Sequence, residues 1–117
     1  MKYFNYHEFD SPDVQGSGQL MDKTLLEMLD EVRDKFDKPI HITSGYRTEA
    51  WNEQIGGVLG SSHTKGLAAD LACENSSDRF DLINCILDVG FSRVGIAKNF
   101  IHIDIDPDKS QQVMWTY

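Results

Sequence analysis

The segment Phe100-Ile101-His102-Ile103-Asp104-Ile105-Asp106 places an isoleucine at every second position. Side chains alternate across a strand, so Phe100, His102, Asp104 and Asp106 share one face and Ile101, Ile103 and Ile105 the other. The isoleucine face anchors the strand to a core. A polar outer face is ordinary in an antiparallel sheet, and two acids there carry little meaning alone. A histidine between them carries more, because neighbouring carboxylates can orient an imidazole or handle its protons.

The surroundings of this strand give the rest of the fold. Phe91–Ala97 pairs with Phe100–Ile105 as an antiparallel hairpin turned through Lys98-Asn99. The preceding helix is capped by Ser76 or Ser77, turns Phe80, Ile83, Ile86 and Leu87 inward, and ends at Gly90. Leu67–Ala72 reads as a short buried strand, and Val58–Gly66 as irregular chain. A short helix spans Thr48–Ile55 and breaks at Gly56-Gly57, after a strand over Ile40–Thr43. Asp22 caps a longer helix over Lys23–Phe36, whose stripe of Leu25, Leu29, Val32 and Phe36, widened by Leu26 and Met28, is core packing. Gln15–Gly18 is a loop, and the tail after Pro107 carries Trp115 and Tyr117. Helices and strands mix without regular βαβ alternation or internal repeats. The expected fold is α+β, a small antiparallel sheet with flanking helices.

At 117 residues the chain is expected to form a single domain, residues 1–117, and a monomer. Its 40% hydrophobic and 26% charged residues describe a packed protein and exclude a disordered one. No apolar run approaches the roughly 20 residues of a membrane span, and the segment from Met1, without a continuous apolar stretch, is not expected to act as a secretory leader. The expected protein is made in the cytoplasm. A net charge of −8 without a basic patch argues against nucleic acid. Cys73 and Cys85 lack CxxC spacing and are expected to be two buried thiols without a disulfide.

His63 precedes Asp70 in Ser62-His63-Thr64-Lys65-Gly66-Leu67-Ala68-Ala69-Asp70. With His102, two imidazoles and one carboxylate suit a zinc ion that keeps a fourth position open, which is the catalytic pattern. Gly66 argues for a turn, so His63 would end the loop and Asp70 would point from the next strand to the same ion. Ala68 and Ala69 leave room for a close approach. An unrelated loop histidine and surface aspartate would read the same way, and this segment alone weighs about evenly between the two. His41 and His7 are given no ligand role.

Three linked motifs, in order, resemble the M15 zinc peptidases. Ser61-Ser62-His63-Thr64-Lys65-Gly66-Leu67-Ala68-Ala69-Asp70 is similar to their SxHxxGxAxD-type signature. Ser44-Gly45-Tyr46-Arg47 resembles their SGYR element, with Asn52 and Gly56-Gly57 following as in their N…GG segment. Phe100-Ile101-His102-Ile103-Asp104 resembles their F-[IV]-H-[IV]-D element. The resemblance runs from about Ile40 to Tyr117. It implies the fold shared by bacterial D-Ala-D-Ala carboxypeptidases, murein endopeptidases, phage endolysins and the hedgehog signalling domain. It also implies Zn2+ held by His63, Asp70 and His102, with Arg47 facing the substrate carbonyl or carboxylate, where a guanidinium stabilises developing negative charge.

The chain departs from several branches of that family at Asn99, which stands three residues before His102 where they carry an acidic general base. An amide cannot take up a proton from water, so Asp104 is expected to serve as base, with a supporting carboxylate as its other reading. Tyr46, Arg93 and Trp115 are possible groove residues. The expected activity is zinc-dependent hydrolysis of a peptide bond in the peptidoglycan stem peptide, next to D-alanine and acting at the cell wall. Carboxypeptidase and endopeptidase are not distinguished. The alternative is a zinc-containing recognition module of the same fold without catalysis.

Overall fold

The computed structural model describes residues 1–117. Two 3₁₀ turns, Tyr6–Phe9 and Ser17–Leu20, open the chain and drop Phe9 into the core. Helix α1, Lys23–Phe36, begins where the Asp22 carboxylate accepts the Leu25 amide at 3.1 Å and ends on the left-handed Asp37. Its stripe buries Leu25, Leu26, Leu29 and Val32, as the spacing predicts.

Strand β1 (Ile42–Ser44), the short helix α2 (Glu49–Gln54) and strand β2 (Ala68–Ala72) follow. Helix α3 (Ser76–Val89) then packs against α1, and β3 (Arg93–Ile96), β4 (Phe100–Asp104) and β5 (Val113–Thr116) complete the sheet. The strand order is β1-β2-β4-β3-β5. Every pairing is antiparallel except β3 with β5, which is parallel. The architecture is α+β with a mostly antiparallel sheet, as expected from the sequence. No helix is long and apolar enough to cross a membrane.

The two faces of the sheet do different work. Ala69, Leu71, Val94, Ile101 and Ile103 join α1 and α3 in one core of buried side chains. Asp70 and His102 lie on the opposite face, so the period-2 alternation of β2 and β4 divides core from chemistry.

Three expectations need correction. The cap of α3 is Asn75, whose side chain accepts the Asp78 amide at 2.7 Å, and not Ser76 or Ser77. Phe80 and Leu87 are exposed, and Leu82 and Ile86 are the buried residues of that helix. Phe80 precedes Leu82 by two positions, about 200° around a helix, so the two cannot share a face. The tail also forms β5, a strand not expected from the sequence, because its parallel partner β3 lies far back in the chain. Cys73 is buried and Cys85 half-buried, and both are free thiols.

Candidate metal centre

Register brings two of the side chains together. Asp70 on β2 pairs directly with His102 on β4, and the neighbouring pair on that face is Ala68 with Asp104. The small Ala68 leaves the Asp104 carboxylate space. His63 arrives from a 3₁₀ turn, Ser62–Lys65, started by Ser61, whose hydroxyl accepts the His63 amide at 3.2 Å. The turn stops on the left-handed Gly66, a conformation glycine adopts without steric penalty, and the chain re-enters the sheet as β2.

The three side chains converge. Asp70 Oδ1 lies 2.9 Å from His102 Nδ1 and 3.3 Å from His63 Nε2. One donor atom from each residue falls within 4.8 Å of the others, and all three residues are buried.

Hydrogen bonds on the far side of each ring determine which nitrogens face inward. The Gly45 carbonyl, 2.7 Å from His63 Nδ1, can only accept, so Nδ1 carries the hydrogen and Nε2 of the neutral ring presents a lone pair. His102 Nε2 lies 2.7 Å from Asp104 Oδ2, and in the tautomer that donates there the neutral ring presents the Nδ1 lone pair toward Asp70. Two lone pairs directed at one carboxylate repel unless a positive charge lies among them. The donor set therefore fits a divalent cation, and its N₂O composition is that of a catalytic zinc site with an open position.

Charge agrees with this arrangement. Burial alone would raise the Asp70 carboxyl pKa, but His102 and His63 outweigh it and hold the group well below the ordinary carboxylate range. Burial likewise opposes protonation of His102, while contact with Asp104 and Asp70 raises its pKa overall. The site attracts cations, whether metal or proton.

Asp104 sits behind His102, on the side away from Asp70. Its Oδ1 accepts from Arg93 Nε at 2.7 Å and from the Asp106 amide at 3.1 Å, and Oδ2 holds His102. The side chain is 1% exposed. Burial works against its charge, and the bonds from His102, the Asp106 amide and Arg93 overcome it and lower the pKa. A carboxylate engaged in this way has no oxygen free for a proton from water, an obstacle to the base role expected from the sequence. Arg93 lies over the Trp115 ring at 5.0 Å, and Trp115 stands 5.5 Å from the His102 ring. Gly95 makes that possible, since a Cβ there would come within 2.6 Å of Trp115 Nε1.

Arg47 enters from the β1–α2 connection. Nε donates to Ser44 Oγ and Nη1 to Asn52 Oδ1, both at 3.1 Å, and Nη2 lies 3.6 Å from Asp70 Oδ2. Asn52 also donates to the Val58 carbonyl at 2.8 Å. A Cβ on Gly57 would fall 2.0 Å from Asn52 Oδ1, so the glycine lets the loop close over the asparagine that orients Arg47. Burial lowers the Arg47 pKa, although Asp70 partly offsets this.

These groups open into a cleft of ≈ 380 Å³ with Arg47, His63, Asp70, Arg93, His102, Asp104 and Trp115 among its walls. Tyr46 packs against the core, and His7 and His41 are exposed. Asn99 is exposed at the hairpin turn, where its carbonyl accepts the Cys73 amide at 2.8 Å, and it does not line the cleft. Asp106 shares the alternation of β4 but lies past its end, turned to Ser62 and Lys65. Ser62, Lys109 and Tyr117 do line the cleft and were missed in the sequence. Ser62 is the variable neighbour inside the histidine motif, and nothing near Lys109 signals a site.

Two imidazoles and a carboxylate that could hold one ion, with an arginine lining the same cleft, fit a mononuclear metallohydrolase centre. Residues 2–104 match the family described as Peptidase M15, and the chain belongs to that family. Its members are zinc-dependent peptidases, so membership makes this chain a metallopeptidase by descent. No curated protein matches the chain.

Proposed function

We propose that the protein hydrolyses a peptide bond of bacterial peptidoglycan beside D-alanine, as a carboxypeptidase or endopeptidase acting at the cell wall. The observation that carries the hydrolytic reading is the pair of imidazoles whose far nitrogens are both engaged, so that both near nitrogens face Asp70. The peptidoglycan substrate and its D-alanine rest on the motif resemblance.

His63, Asp70 and His102 would hold zinc, which when bound supplies Lewis-acid polarisation of a carbonyl and a nucleophile at neutral pH. Arg47, fixed by Ser44 and Asn52, would stabilise the charge growing on the scissile carbonyl oxygen or bind a terminal carboxylate. Asp104 would hold the His102 ring and its tautomer, with Arg93 holding Asp104 in turn. This replaces the base role with the supporting one.

One observation favours the second reading, a zinc-containing recognition module. Of the two carboxylates lining the cleft, Asp70 belongs to the ligand set and Asp104 has both oxygens bonded, and Asn99 lies outside it. Incubating the zinc-loaded protein with purified peptidoglycan and analysing muropeptides by mass spectrometry separates the two. New amino termini that disappear with a chelator support hydrolysis. Intact muropeptides that remain bound support the module, and neither cleavage nor binding refutes the peptidoglycan assignment.

A further inference from the structure

We infer that Lys109 forms a second anion subsite in the metal cleft, receiving a carboxylate that the substrate carries away from the scissile bond. The inference rests on the peptidase reading above and deepens it, since the substrate becomes an acidic peptide.

Three cations line this cleft, Arg47, Arg93 and Lys109, on a chain whose net charge is −8. Two of them are committed. Arg93 is bonded to Asp104 and to the Ser110 carbonyl at 2.7 Å, and Arg47 to Ser44 and Asn52. Lys109 differs. Its ammonium has three donors and makes a single hydrogen bond, to the neutral Ser62 hydroxyl at 2.9 Å.

The carboxylate nearest Lys109 does not account for it. Asp106 Oδ2 lies 3.8 Å away, too long for a hydrogen bond. Asp106 is already satisfied by Ser62 Oγ at 2.7 Å, by Lys65 Nζ at 3.0 and 3.2 Å, and by the Asp108 amide at 3.1 Å. Lys65 supplies its nearer counter-charge, and also lies 3.4 Å from Asp108 Oδ2. Lys109 therefore keeps two donors unused, on a side chain one-third exposed, against the residue that precedes His63.

Arg47 and Lys109 line the cleft from different connections, β1–α2 and β4–β5. Arg47 would take the carbonyl oxygen or chain terminus, and Lys109 a side-chain or branch carboxylate. The acidic remainder of the surface would repel such a peptide and direct it to the cleft. The competing account makes Lys109 a pin that holds the β4–β5 connection to Ser62.

Zinc-loaded protein and a panel of synthetic peptides ending in D-Ala-D-Ala test this. Each pair places one glutamate, or its glutamine isostere, one, two or three residues before that end. We expect a preference for glutamate at one position of about tenfold in KM and in Kd, equivalent to about 1.4 kcal/mol. Lys109→Met should reduce that ratio to near one and Lys109→Arg should preserve it. No preference at any position, or one that survives in Lys109→Met, overturns the subsite. If Lys109→Met lowers the melting temperature but keeps the ratio, Lys109 is the pin. If no peptide is cleaved, the carboxypeptidase reading fails separately, and the Kd ratios still decide the subsite.

Discussion

Asp70 and His102 stand directly opposite each other in the antiparallel pairing of β2 with β4, Oδ1 2.9 Å from Nδ1. Opposed residues on one face carry Cβ atoms about 5 Å apart, close enough for both to reach one ion. A one-residue slip of either strand would send Asp70 or His102 into the isoleucine core. The packing of Ile101, Ile103 and Leu71 beneath the sheet therefore protects the register on which the centre depends.

Asp104 provides the sharpest test of how His102 is held. If it fixes the ring, Asp104→Ala should weaken zinc binding about 10–100-fold, the usual cost of losing such a partner. Asp104→Asn should cost less, because an amide oxygen can still accept from Nε2. Zinc affinity is measured by competition with a chromogenic chelator, alongside kcat. Unchanged affinity with a collapse in kcat would restore Asp104 as the base.

Arg47 should act through a fixed direction and not through charge alone. Nε and Nη1 are used by Ser44 and Asn52, so a lysine cannot reproduce the fork. Both Arg47→Lys and Arg47→Ala should lower kcat on peptidoglycan peptides by about 10²–10³, the range for losing one donor to a developing oxyanion. Asn52→Ala should give a smaller loss by releasing the guanidinium. Steady-state kinetics measure both, and Arg47→Lys retaining full turnover would exclude the orienting role.

Much of this architecture was legible because one property of each segment decided it. The strict alternation around His102 gave β4, its core face and its polar face. The His63–Asp70 spacing, with Gly66 between, gave a turn feeding a strand. The reading weakened where a partner lay far along the chain. The parallel docking of β5 on β3 brings Trp115 over Gly95, and neither residue announces the other. The surroundings of Asp104 were hidden for a related reason, since Arg93, which bonds Oδ1, is a cross-sheet neighbour eleven residues earlier. In α3 the apolar residues are spread around the axis, so periodicity did not single out Leu82.

That helix gives a stability test. Leu82 is 1% exposed and Phe80 71% exposed. Leu82→Ala should destabilise by about 2–5 kcal/mol, the cost of lost burial plus a residual cavity. Phe80→Ala, the larger deletion, should stay within about 0.5 kcal/mol, as surface changes do. Urea unfolding followed by far-UV circular dichroism measures both, and equal losses would mean that α3 presents a different face to α1.

Asp106 should make stability depend on acid. Burial would raise the pKa of its carboxyl, but the Ser62 hydroxyl, the Lys65 ammonium and the Asp108 amide bring it down to about 2. A folded-state pKa below the ordinary 3.8 means that the unfolded chain takes up the proton first. The stabilisation is therefore complete above about pH 5 and is lost as pH falls through 3.8 toward 2. The side chain is fully buried, so a shift of this size corresponds to on the order of 2 kcal/mol. Asp106→Asn should be less stable than the parent by that amount at pH 6, with the gap narrowing between pH 4 and about 2. Urea titrations of both proteins across that range measure the gap, and one that stayed constant with pH would show that the Asp106 charge adds nothing beyond its shape.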